Sequence, residues 1–198
     1  NAYISKYGTS KKGELIYDYL AMSALLKRDY ERAVLAYDQI EELSADQKSN
    51  YIKANFLRAK KLLDIGAYAT AIPYLKASAY YLGKDDEFGQ LCRYELANTY
   101  YITDDYKDAL TIYNDLYNLS ALDTRDEGAL VSYNIAYCFF KQSDYANASR
   151  WFDIYVSSGN ALAREDALIR RADCDFAQRN YRSAAEKYKV AVSEFPST

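Results

Sequence analysis

The chain has 198 residues, half of them hydrophobic, with 25 basic and 28 acidic residues, a formal charge of −3 and no histidine. That is enough apolar material for one sizeable core or one continuous stack, while the dispersed charges exclude a concentrated nucleic-acid footprint. No apolar run approaches the roughly 20 residues of a membrane span, so direct membrane insertion is not expected, and seven Gly and two Pro are few for the turns of an all-β fold.

Tyrosine occurs 23 times, often enough to test for a repeating position, and it has one. An alanine is followed 9 residues later by Tyr, 3 later by Ala and 4 later by a large apolar residue. In chain order the copies are Ala21, Tyr30, Ala33, Tyr37; Ala59, Tyr68, Ala71, Leu75; Ala97, Tyr106, Ala109, Tyr113; Ala136, Tyr145, Ala148, Phe152; and Ala172, Tyr181, Ala184, Tyr188. Steps of 3 and 4 put Tyr, Ala and the bulky residue on one face of a helix, and the upstream Ala belongs to a partner helix 12 residues before. Helices that cross closely need small side chains at the crossing, which predicts an alanine pair at each. Between the paired helices, Lys27-Arg28-Asp29, Thr103-Asp104-Asp105 and Gln142-Ser143-Asp144 read as short turns whose Asp caps the second helix.

The second alanines, at 33, 71, 109, 148 and 184, fall 38, 38, 39 and 36 residues apart, while the distance within each copy is constant. The variable residues must then lie between copies, in longer helix ends or loops around 44–49, 83–86, 120–125 and 157–162. Residues 2–10, with Tyr7-Gly8-Thr9-Ser10, read like the closing Phe195-Pro196-Ser197-Thr198. Residues 1–13 are expected to be the end of a truncated preceding repeat.

These residues resemble the tetratricopeptide repeat, with small residues at its eighth and twentieth positions, Tyr or Phe at the seventeenth and an aromatic at the twenty-fourth; residues 91–117 carry the pattern most fully. The resemblance implies an all-α, right-handed α-solenoid of ten helices in one domain over 14–198, with repeats at about 14–47, 52–85, 90–123, 129–162 and 165–198. The aromatic-Pro-Ser ending is also similar to repeats of bacterial envelope lipoproteins. The compartment, cytoplasmic or periplasmic, is left open.

Lack of histidine removes the commonest general base and metal ligand, no Gly-rich phosphate loop is visible, and the acidic pairs Glu41-Glu42, Asp85-Asp86 and Asp104-Asp105 fall at helix ends, where they read as caps. No enzymatic activity, metal or cofactor is expected. Cys92, Cys138 and Cys174 lack the paired spacing of a zinc module and read as small buried hydrophobes. Equivalent points on stacked repeats lie about 10 Å apart, too far for a disulfide.

The resemblance also implies that the first helices line a concave surface. On it stand Phe56, Tyr94, Asn98, Tyr101, Tyr133, Tyr137, Phe140 and Ile169, an aromatic trough suited to a peptide or helix of another protein. The family's carboxylate-clamp positions read Tyr94, Asn98, Asn134, Asp166 and Arg170 here; both lysines are absent and one position is acidic, which argues against a carboxylate ligand. The expected function is a non-enzymatic interaction scaffold, the alternative a structural spacer or self-association module that could form a homo-oligomer.

Overall fold

A computed structural model describes residues 11–119, 122 and 124–196. These residues are all-helical or in turns: α1 (Lys11–Leu26), α2 (Tyr30–Tyr37), α3 (Ala45–Asp64), α4 (Tyr68–Tyr80), α5 (Glu87–Ile102), α6 (Tyr106–Asn118), α7 (Asp126–Ala129), α8 (Val131–Lys141), α9 (Tyr145–Ser157), α10 (Arg164–Ala177) and α11 (Tyr181–Glu194). Ten rods were expected; among the described residues there are eleven helical segments because one first helix is interrupted at Leu130, between α7 and α8. The backbone stays in the right-handed region there, and the Leu130 N–H still donates to the Asp126 carbonyl at 3.1 Å, so the interruption is slight. The similarity expected for residues 2–10 lies outside the described residues.

All ten repeat alanines are buried: Ala21, Ala33, Ala59, Ala71, Ala97, Ala109, Ala136, Ala148 and Ala172 are 0% exposed and Ala184 is 1% exposed. Tyr37, Leu75, Tyr113 and Phe152, one helical turn beyond the second alanine in their copies, are buried beside them. The fifth member, Tyr188, stays half-buried.

The turns inside the five helix pairs share one geometry. Arg28, Gly66, Asp104, Ser143 and Arg179 all take positive φ, between 57° and 74°. Asp29, Ala67, Asp105, Asp144 and Asn180, the residues that follow, each donate an N–H back to the fifth residue upstream, at 2.8–3.0 Å. This is a Schellman closure whose last residue is also the N-cap of the next helix. The anticipated caps form: Asp29, Asp105 and Asp144 accept from the N–H groups of Arg32, Asp108 and Asn147. Ala67 and Asn180 make no such bond.

The extra residues lie between repeats. At 44–49 they lengthen a helix: Ser44 and Gln47 form a capping box that starts the 20-residue α3. At 83–86 and 157–162 they extend the connections between α4 and α5 and between α9 and α10. The stretch 120–125 is described only in part.

Contacts divide the chain into two compact units, Asn1–Arg93 and Tyr94–Thr198. In the first, Ala24, Ala33, Val34 and Ala54 form one cluster across α1, α2 and α3, and Ala21, Ala36, Tyr37 and Ile40 form another. In the second, Ala136, Ala148, Phe152, Tyr155, Ala167 and Cys174 form a continuous core under α8, α9 and α10.

Candidate partner-binding face

In the second unit, α5 from Tyr94 onwards, α8 and α10 belong to the first helices of successive repeats, and residues four apart on each share a face. That spacing places Tyr94 and Asn98 on α5, Tyr133 and Tyr137 on α8, and Asp166, Arg170 and Asp173 on α10. Their side chains join across the helices. Asn134 donates to the Tyr94 hydroxyl at 3.1 Å and approaches Asn98 Oδ1 at 3.5 Å, while the Tyr113 hydroxyl donates to the same Asn98 oxygen. Asp166 accepts from the Tyr133 hydroxyl at 2.8 Å and from the Tyr137 hydroxyl. Arg170 donates to the Tyr137 oxygen at 3.1 Å, to Asp166 at 3.2 Å and to Asp173 at 2.7 Å, and Asp173 also accepts from the Tyr188 hydroxyl.

The rings beneath belong to the core. Tyr133 packs on Phe152 and Tyr155, Tyr137 on Phe152 and Phe140, and Phe140 on Tyr145, with centroid separations of 4.9–6.4 Å across this group. Burial raises the Tyr133 and Tyr137 phenol pKa values, and the bonds to Asp166 add to the shift because each phenol must keep its proton to donate. Burial alone would lower the Arg170 pKa; its contacts to Tyr137, Asp166 and Asp173 reverse that, and the guanidinium stays charged.

The expected groove residues therefore differ in what they offer. Tyr94 is buried, at 7% exposed. Asn98, Tyr101, Tyr133, Tyr137, Phe140 and Ile169 are half-buried, and the rings of Tyr101, Tyr133, Tyr137 and Phe140 are engaged in packing against other aromatic rings. Tyr101 stacks edge-on against Tyr106, and burial pushes its hydroxyl up to about 12. Phe56 lies in the first unit, where it packs edge-on against Phe88 at 5.0 Å. Ile169 and Asp166 line a cavity of about 360 Å³ with Leu162, Arg164, Glu165 and Phe195.

The clamp positions Asp166 and Arg170 bond to one another, so the cation that a carboxylate ligand would need is already shared between two aspartates. Tyr188 is a repeat position in the sequence, and Asp173 lies outside the repeat pattern. The signal that could have joined them to the face is the Asp166, Arg170, Asp173 spacing of i, i+4 and then i+3, which sets an arginine between two acids on one helix surface. Among the described residues no group of three or more His, Cys, Asp or Glu side chains could hold a metal ion.

Residues 166–198 match the tetratricopeptide repeat family model. No curated protein matches the chain. Among solved structures, MamA is 18% identical with a TM-score of 0.63, over 91% of this chain and 90% of that one. A Podosopora anserina protein of nearly identical TPR-like repeats is 13% identical with a TM-score of 0.63, over 89% and 92%. BtubC from P. vanneervenii is 15% identical with a TM-score of 0.63, over 88% and 76%. With its buried alanine pairs and uniform helix-turn-helix closures, the chain has the tetratricopeptide-repeat fold, and its segment 166–198 is a tetratricopeptide repeat by sequence as well.

Proposed function

We propose that the chain is a non-enzymatic scaffold that binds a segment of another protein along the first-helix face of its second unit. Tetratricopeptide folds generally mediate protein–protein contacts. The observation that carries the reading is the strip in which α5, α8 and α10 each contribute polar tips on a packed aromatic base. Such a surface is held in place before a partner arrives, so binding costs little side-chain entropy, and hydroxyl, amide, carboxylate and guanidinium groups stand in a row to meet a peptide backbone. The rings supply contact area at low conformational cost.

The test is selection of binding peptides from a random 12-residue display library, followed by fluorescence anisotropy with wild type, Tyr133→Phe and Tyr137→Phe. These variants keep the rings and remove only the hydroxyls. Peptides seated on this face are expected to bind about tenfold more weakly to at least one variant, the magnitude of a hydrogen bond to a charged group. If every selected peptide binds both variants as it binds the wild type, and Arg170→Ala as well, the face is not the binding surface.

A further inference from the structure

The cavity beside Asp166 has an uneven lining. Part of its wall is apolar, from Leu162, Ile169 and Phe195, while its charged members are Arg164, Glu165 and Asp166. Arg164 is committed elsewhere: it pairs with Glu194 and donates to the Val156 carbonyl at 2.7 Å. Arg170 is shared between Asp166 and Asp173, two acids to one cation. Glu165 makes no ion pair among the described residues. The charged residues that line the cavity of about 360 Å³ are thus two acids, Glu165 and Asp166, and one cation, Arg164, which is already paired with Glu194, so the lining carries one negative charge in excess.

Hydrogen bonding agrees with the charge count. A carboxylate has about four lone-pair sites. Asp166 Oδ2 accepts from both Tyr133 and Tyr137, and Oδ1 from Arg170 alone. One acceptor position on Oδ1 is left, on a side chain that is 35% exposed. An occupant of this cavity must therefore bring apolar contact for Leu162, Ile169 and Phe195, and a donor with positive charge for the acidic rim.

We infer that this cavity receives a lysine or arginine side chain of the bound segment, its aliphatic stem on Leu162, Ile169 and Phe195 and its cationic head at Asp166 and Glu165. The assignment rests on the scaffold reading above and sharpens it: the partner segment is basic at one position. The charge arrangement is opposite to that of a carboxylate clamp, and an acidic side chain placed here would meet the uncompensated acids.

The peptides selected from the random 12-residue library provide the test. Those that lose affinity to Tyr133→Phe or Tyr137→Phe are expected to share one Lys or Arg, and its replacement by norleucine, which keeps the stem and removes the charge, weakens binding about tenfold. Glu165→Gln, on a half-exposed side chain outside the tyrosine network, weakens the same peptides about threefold, with an unchanged melting temperature and no effect on the norleucine versions. Asp166→Asn, with folding checked by circular dichroism, weakens them further. Face-dependent peptides that carry no shared cation, or that bind equally with norleucine, or that bind Glu165→Gln and Asp166→Asn as they bind the wild type, overturn this inference and leave the scaffold reading standing. Enrichment of acidic or purely apolar peptides at this position overturns it in the same way. If no selected peptide depends on the tyrosine hydroxyls or Arg170, both readings fall.

Discussion

Alanine at a helix crossing acts through the side chain it lacks. The ten repeat alanines leave no room at the crossings, and each is at most 1% exposed. Ala148 sits against Ala136, Phe152 and Cys174 in the core of the second unit. Ala148→Leu is expected to destabilise the protein by about 1–3 kcal/mol, because the added carbons force the two helices apart or into strained rotamers. Urea denaturation checks this, and Ala146→Leu, two residues earlier on the exposed face of the same helix, is the control.

A second residue-scale prediction concerns Asp175, which is 7% exposed. Burial opposes its charge, but the bond from Ser183, the Lys187 ammonium at 2.9 Å and the nearby Arg171 outweigh that and hold its carboxyl below the usual carboxylate value. A lowered native pKa means that the charged form contributes stability above the unfolded value of about 3.9, and that this contribution is lost as pH falls through the lower native value. Asp175→Asn should therefore lose less stability than wild type between about pH 5 and pH 2, measured by thermal melts along that series. At neutral pH the variant should be less stable by about 3 kcal/mol, because Lys187 keeps its charge with no buried partner.

The cysteines belong to this scale too. None of the three forms a disulfide among the described residues and all are 0% exposed, and burial pushes the Cys138 and Cys174 thiols up to about 12. The thiolate is the reactive form. Iodoacetamide at about pH 8 is expected to leave both unmodified in the folded protein and to alkylate them in urea, as read by intact-mass spectrometry.

At the scale of elements, the repeated unit is as much a turn as a pair of helices. Four of the five left-handed turn positions hold a residue with a Cβ, and only Gly66 is relieved of the steric cost. Arg179→Gly, in an exposed turn between α10 and α11, is expected to stabilise the fold by about 0.5–1 kcal/mol, the left-handed penalty less the entropy that glycine adds to the unfolded chain. The converse holds for Asp144→Ala, which removes the cap of α9 and should cost about 1 kcal/mol. Comparison of the two melting curves with wild type tests both. Gly89 in α5 marks a different constraint. A Cβ there would come within 2.8 Å of Leu82 Cβ and 3.0 Å of the Gly83 carbonyl, so the connection after α4 packs directly on the α5 backbone.

For the whole molecule, the units differ in what their helices cover. α1 leaves Leu15, Tyr19, Leu20, Met22 and Leu26 exposed, whereas the buried faces of α8 and α10 join one continuous core in the second unit. Local opening is easiest where few apolar contacts are lost. Amides of α1 are therefore expected to exchange faster than those of α8 and α10 in hydrogen-exchange mass spectrometry; equal protection would contradict this ranking. No helix among the described residues is long and apolar enough to cross a membrane.

The sequence alone determined the repeat, because its signal is local: spacings of 3, 4, 9 and 12 residues translate directly into a helix face, a crossing and a turn. The alanine pairs, the Asp caps and the placement of extra residues between repeats were legible for the same reason. The sequence also pointed to the first helices as the functional face, but it could not tell ring faces from ring edges. That depends on neighbours tens of residues away: Tyr137 meets Asp166 and Arg170, 29 and 33 positions on, and Tyr94 meets Asn134, 40 positions on. Only the tertiary structure decided that the tyrosines pack into the core and point their hydroxyls into a polar strip, and that Arg170 is shared by two acids. Pairings across helices follow from how neighbouring repeats pack, and no short-range spacing records that.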